Sequence, residues 1–134
     1  MTNTLKADGA MAVAPHFLAA QAARDVLKEG GNAIEAMVAA AATIAMVYPH
    51  MTGLGGDAFW LIHEPGQEPV GIDACGGAAA GMTPSFYTDR GFISIPVRGS
   101  LAANTVAGTV SGWERALEFS KLHWSGRMPL SRLF

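Results

Sequence analysis

A chain of 134 residues, 50% of them apolar, can bury roughly two-thirds of its unfolded surface in one core, and it is too apolar for a disordered segment. Its formal net charge of −2, with nine Lys and Arg and no basic run, excludes an electrostatic footprint for nucleic acid. Charged residues make up only 15%, against roughly 25% in an ordinary soluble domain, so part of the surface is expected to be covered by a partner subunit or by the remainder of a longer polypeptide.

In chain order, Pro15 suits the first position of a helix, where its missing N–H costs nothing. From His16 to Glu29, Leu18, Ala22 and Val26 recur at helical spacing, with Arg24, Asp25, Lys28 and Glu29 on the polar side and Gly30-Gly31 as the stop. Asn32 caps a second helix, and Glu35 three positions on completes a capping box. Ala33 to Val47 is apolar almost all round and rich in alanine, which predicts a buried helix, and Pro49 stops it. The apolar run within it is too short to span a bilayer, which takes about 20 residues, and Met1 to Ala10 has no apolar core of a signal peptide.

After Gly53-Leu54-Gly55-Gly56-Asp57 comes Ala58 to His63, a run suited to a buried strand. The turn residues of Glu64 to Pro69 and the second run Val70 to Ala74 make a hairpin. Gly76 to Gly81 is small and flexible, Thr83-Pro84 opens a short helical turn through Phe86 and Tyr87, and Gly99 to Thr105 is a loop. A last amphipathic helix is expected from about Val110 to Leu122, broken by Gly126 and Pro129, and Leu130 to Phe134 reads as the first turn of another. Ending there is consistent with truncation, and there is no internal repeat or linker.

Few side chains form a chemical set. Cys75 is the only cysteine, so an internal disulfide and a thiolate zinc site are excluded. His16, His50, His63 and His123 are scattered without ligand spacing, and no metal or cofactor is expected. Cys75 beside Asp73 lacks a histidine that could serve as its base, so a loop or buried thiol is the plainer reading. Ser100 and Thr105 lie in no nucleophile-elbow pattern, and Arg98 is read as a solvated loop arginine. The glycines at 53, 55 and 56 invite a nucleotide-loop reading, but their order is helix, glycines, strand, the reverse of what a phosphate at a helix N-terminus needs. Two readings of them stay open: positive φ with close backbone approach at the strand's entry, or exposed backbone N–H groups lining a substrate pocket.

The ordered series of motifs is more specific than any one of them. Leu27-Lys28-Glu29-Gly30-Gly31-Asn32-Ala33-Ile34-Glu35-Ala36, Tyr48 through Phe59 with its glycine cluster, Val70-Gly71-Ile72-Asp73, Val106-Ala107-Gly108-Thr109-Val110-Ser111-Gly112 and Met128-Pro129-Leu130 together resemble the γ-glutamyltransferase family, from about Ala10 to Phe134. Alanine at 107 stands where the family usually has proline. The resemblance implies an α+β chain forming the N-terminal segment of an N-terminal-nucleophile hydrolase, a four-layer αββα sandwich. Residues 1–134 would then be a partial domain from the large subunit of a self-cleaving precursor.

The resemblance further implies an amide hydrolase or acyl transferase acting on a small-molecule amide, with the rest of the precursor as partner; the expectation of a cytoplasmic location comes instead from the lack of a signal-peptide or membrane-span pattern. Its nucleophile is a threonine downstream of this segment, freed by cleavage, whose own amino group is the general base. No residue of Met1–Phe134 takes that role, so the chain alone is expected to be inactive. The rival reading of another class is a non-catalytic structural or binding subunit.

One departure bears on substrate. Where γ-glutamyl-specific members carry an arginine that grips the substrate α-carboxylate, the segment here is Ile72-Asp73-Ala74-Cys75-Gly76, and Cys75 occupies that position. A thiol supplies no cationic fork, and losing one costs on the order of a few kcal/mol of discrimination. Beside the glutathione-hydrolase-like reading, the departure therefore sets an alternative: members of the family that hydrolyse other amides, including oxamate and the acyl side chains of cephalosporins.

Overall fold

The computed structural model describes residues 4–134 and is an α+β arrangement of five helices and one hairpin among those residues. Helix α1 (Phe17–Lys28) begins two residues later than the Pro15 signal implies. His16 is its N-cap, with Nδ1 accepting from the Leu18 amide at 3.3 Å, so Pro15 precedes the helix rather than opening it. The helix ends as its glycines require. Gly30 has φ +89°, its amide donates to the Leu27 carbonyl, and the Gly31 amide donates to the Val26 carbonyl at 2.9 Å.

Helix α2 (Ala33–Val47) follows at once. Asn32 Oδ1 accepts from the amides of Ile34 and Glu35, while Glu35 Oε2 accepts from the Asn32 amide at 2.8 Å, which closes the capping box. Helices α1 and α2 pack closely through small side chains, with Ala19, Ala23 and Val26 against Ala36, Ala39 and Ala40 in one buried cluster. Alanine at these positions lets the two backbones approach and fixes few rotamers on burial.

Strands β1 (Ala58–Ile62) and β2 (Val70–Ala74) pair antiparallel, with Trp60 opposite Ile72 and Ala58 opposite Ala74. After the short helix α3 (Pro84–Thr88) and a long loop comes α4 (Thr109–His123), slightly longer than the expected span. It contacts α2 and also the inner face of the hairpin, where Ala116 meets Ile34 and Ile62 amid Trp60, Ile72, Phe119 and Trp124. The four-residue helix α5 (Leu130–Leu133) packs on α2.

Strand β1 departs from the reading as a strand buried on both faces. Its inner residues face α4, but Phe59 and Leu61 on the other face are 72% and 81% exposed. The apolar run was legible, but not that one face is left open within these residues. The same holds for the whole chain. Its accessible surface is 9388 Å², against roughly 6,700 Å² for a folded monomer of this size. The surplus is on the order of 2,700 Å².

Candidate functional site

Three separate sequence motifs meet at one junction, where the head of α4 abuts the end of β2. The Gly56 carbonyl accepts from the amides of Gly108 and Thr109, both at 2.9 Å, and from the Thr109 hydroxyl at 2.8 Å. That hydroxyl also reaches the Asp57 carbonyl at 3.3 Å. The first amides of α4, which the helix itself leaves without acceptors, are thus capped by the glycine motif rather than by a side chain. Asp57 then carries the link to the third motif, its Oδ1 accepting from the Gly76 amide at 2.9 Å.

Glycine is required where these backbones touch. A Cβ on Gly76 would lie 1.4 Å from the Val106 carbonyl oxygen, and one on Gly108 would lie 2.0 Å from that of Ala74. Gly112, one turn into α4, packs instead on a side chain: a Cβ there would lie 2.7 Å from the Ala74 methyl. The segment after β2 is further tied by the Val106 amide donating to Gly77 and by the bridge between Ala78 and Thr105. The expectation of a small, flexible stretch from Gly76 therefore gives way to a clasped one.

At Gly53, Gly55 and Gly56 the opposite holds. None has a positive φ, and a Cβ on any of them would meet nothing within 4 Å. Strained φ and close approach do not explain these glycines, which overturns the first of the two readings left open for them. They form an exposed, unobstructed loop beside the junction.

Cys75 lies at this junction, exposed, between Ala74 and the clasped Gly76. Its amide donates to Asp73 Oδ1 at 2.9 Å. The thiol is held far from a nucleophile's state. Its hydrogen bond to Asp73, partial loss of water and the negative charges of Asp73 and Asp57 push its pKa up to about 11. The same thiol hydrogen bond, with that of the amide, holds the Asp73 carboxyl below its usual range. Neither Asp57 nor Asp73 takes part in an ion pair among the described residues. The surroundings of Cys75 are anionic, the reverse of what would grip a carboxylate.

The remaining sequence candidates stay apart from this site. Arg98 and Ser100 are exposed in the loop before α4, and Thr105 is exposed beside its bridge to Ala78. His16 serves as the cap of α1, and His50, His63 and His123 are exposed. No group of three or more potential metal ligands occurs among the described residues. None of their helices is long and apolar enough to cross a membrane. In the sequence, Asp57 and Thr109 stand only as letters of their motifs. Their role as the links between motifs depends on backbone partners some 20 to 50 residues away, which no local pattern encodes.

Comparison with known proteins agrees with this arrangement. The gamma-glutamyltranspeptidase family profile matches residues 19–133. The chain is 58% identical over 123 residues to an oxamate amidohydrolase proenzyme of Klebsiella pneumoniae, covering 92% of this chain and 23% of that relative. It is 44% identical over 114 residues to a glutathione hydrolase-like proenzyme of Bacillus subtilis, covering 84% of this chain and 21% of the relative. The chain thus spans under a quarter of the length of these two curated relatives.

Among solved structures, Helicobacter pylori gamma-glutamyltranspeptidase superposes with a TM-score of 0.81 at 32% identity, over 98% of this chain and 37% of that one. A cephalosporin acylase from Bacillus halodurans gives 0.74 at 32% identity, over 87% of this chain and 21% of that one. The helices and hairpin are a piece of the same N-terminal-nucleophile hydrolase architecture, as the motif series implied. On the matched profile, the shared fold and the junction its motifs build, the chain belongs to the gamma-glutamyltranspeptidase family.

Proposed function

We propose that the protein containing this chain is an amide hydrolase or acyl transferase of small amides, and that its preferred substrates lack an amino-acid α-carboxylate at the Cys75 position. The observation that carries the reading is the 58% identity to an oxamate amidohydrolase proenzyme over nearly the whole chain. Residues 1–134 supply part of the large subunit and one wall of the substrate pocket. The nucleophilic threonine, its amino-terminal base and most oxyanion donors come from the rest of the precursor, which also covers Phe59 and Leu61. A cytoplasmic location goes with this reading.

The anionic junction supports the substrate preference. Where γ-glutamyl-specific members would place an arginine, this chain puts the neutral thiol of Cys75, whose backbone amide donates to Asp73, with Asp57 nearby. A γ-glutamyl α-carboxylate desolvated there would meet like charge and no cation, which is costly. Oxamate carries its carboxylate directly on the scissile amide carbonyl, so it need not reach this subsite.

The test is a comparison of kcat/KM for oxamate and glutathione with the full-length protein and its Cys75→Arg variant. Preference for oxamate, with a gain on glutathione in the variant, supports the reading. A parent that strongly prefers glutathione and gains nothing from the arginine overturns it.

A further inference from the structure

Beside the open glycine loop, Thr109 holds a place that its helix does not need. It is 6% exposed, and α4 would form with any residue there, yet its hydroxyl is spent on the carbonyls of Gly56 and Asp57. The Gly56 carbonyl takes three donors at 2.8–2.9 Å, all from Gly108 and Thr109. The far side of the loop, at Gly53 and Gly55, meets nothing. An exposed glycine loop of this kind keeps one geometry only if its end is fixed, because glycine has the largest conformational freedom to lose.

The fixing does not stop at the loop. Asp57, the next residue, donates nothing and accepts from the Gly76 amide, one residue past Cys75. A shift of Gly56 therefore moves Asp57, and with it the segment that carries Cys75. Both sides of the junction are registered on one rigid element, the head of α4, which Gly108 and Gly112 hold tightly against Ala74.

We propose that Thr109 is a positioning residue for the substrate: through the Gly56 and Asp57 carbonyls it fixes the 53–57 loop, and through Asp57 it sets the placement of Cys75. The proposal rests on the reading that this junction is a wall of the amide-substrate pocket. Thr109 touches no reacting atom itself. Its loss should weaken ground-state placement of the amide while leaving the nucleophile intact, so KM rather than kcat carries the effect.

The experiment uses the full-length protein with Thr109→Val, which keeps the shape and removes the hydroxyl, Thr109→Ser, which restores it, and Asp57→Ala, an exposed position whose truncation releases Gly76. Steady-state kinetics on oxamate are paired with hydrogen exchange of peptides covering residues 53–57 and 74–78. We expect Thr109→Val to raise KM about tenfold with kcat changed less than about twofold, and to speed exchange in both peptides. Thr109→Ser should stay within about twofold of wild type, and Asp57→Ala should speed exchange in 74–78 alone.

Faster exchange in Thr109→Val with KM unchanged overturns the positioning role. So does a Thr109→Val protein indistinguishable from wild type in exchange, or a Thr109→Ser protein as impaired as the valine. A wild-type protein that turns over no small amide sinks the functional reading instead. The exchange arm then decides by itself whether Thr109 fixes both segments.

Discussion

Glu35 Oε1 accepts from the backbone amides of Arg127 and Met128 at 2.6 and 2.7 Å, across more than ninety residues of chain. Its other oxygen caps the start of α2 through the Asn32 amide, so one carboxylate, 2% exposed, satisfies three N–H donors. Asn32 matches it: while Oδ1 caps the helix, Nδ2 donates to the buried Ser120 hydroxyl at 2.7 Å. The capping box is therefore also the clasp that seats the segment after α4. Replacing Glu35 with alanine leaves three part-buried amides without acceptors and should cost about 3 kcal/mol of stability. Glu35→Gln keeps one acceptor oxygen and should cost less. Denaturant midpoints of the whole protein check both, and a Glu35→Ala midpoint equal to wild type would show that water replaces the clasp.

The glycines divide into two groups with opposite expected behaviour. Gly76→Ala drives a methyl into the Val106 carbonyl oxygen, a backbone atom that cannot move aside alone, and should destabilise by about 3 kcal/mol. Gly55→Ala meets open space at an ordinary φ and should change stability by no more than about 0.5 kcal/mol. Its effect should fall on KM for the amide substrate. Melting curves beside kinetics separate the two, and equal stability losses at both positions would refute the division.

Local signals explain how much of this was legible. Helix periods, the Gly30-Gly31 stop, the Asn32–Glu35 box and the hairpin turn act within a few residues, and their elements stand where the sequence placed them. The span of α4 was nearly right for the same reason. Its true start depends on Gly56, whose carbonyl caps it from some 50 residues away. Glycines were the hardest to read. Gly76, in a stretch that looked merely flexible, is wedged against backbone, whereas the conspicuous cluster at 53–56 is unconfined. Sequence shows that a Cβ is missing, but only tertiary contact shows whether one would fit. Cys75 and the neighbouring Asp73 are legible in the sequence, whereas Asp57 joins them only where the loop before β1 meets the end of β2.

Residues 1–134 expressed alone should hydrolyse neither oxamate nor a γ-glutamyl anilide. Cys75 is held as a neutral thiol, and Ser100 and Thr105 are exposed loop residues with no activating base among their hydrogen-bond partners. Turnover that follows the purified chain through two orthogonal separations, free of any full-length enzyme, would contradict this.

Cys75 offers a direct probe of the charge around it, because it is the only thiol in the chain. Its pKa is raised from 9.0 to about 11, first through the hydrogen bond to Asp73, and the thiolate is the form that reacts with alkylating agents. The sign follows directly. Below pH 9 the thiolate fraction should be roughly 100-fold smaller than for an ordinary thiol, and the alkylation rate should keep rising until the pH passes about 11. Asp73→Asn removes the charge and weakens the bond to the thiol, so its profile should shift toward lower pH and its rate at pH 8 should rise severalfold or more. Charge on the reagent gives a second reading: negative iodoacetate should lag neutral iodoacetamide more in the wild type than in Asp73→Asn. Alkylation that levels off near pH 9, with the same iodoacetate lag in both proteins, would mean that Asp73 does not govern Cys75. The argument for exclusion of carboxylates at this subsite would then lose its electrostatic basis.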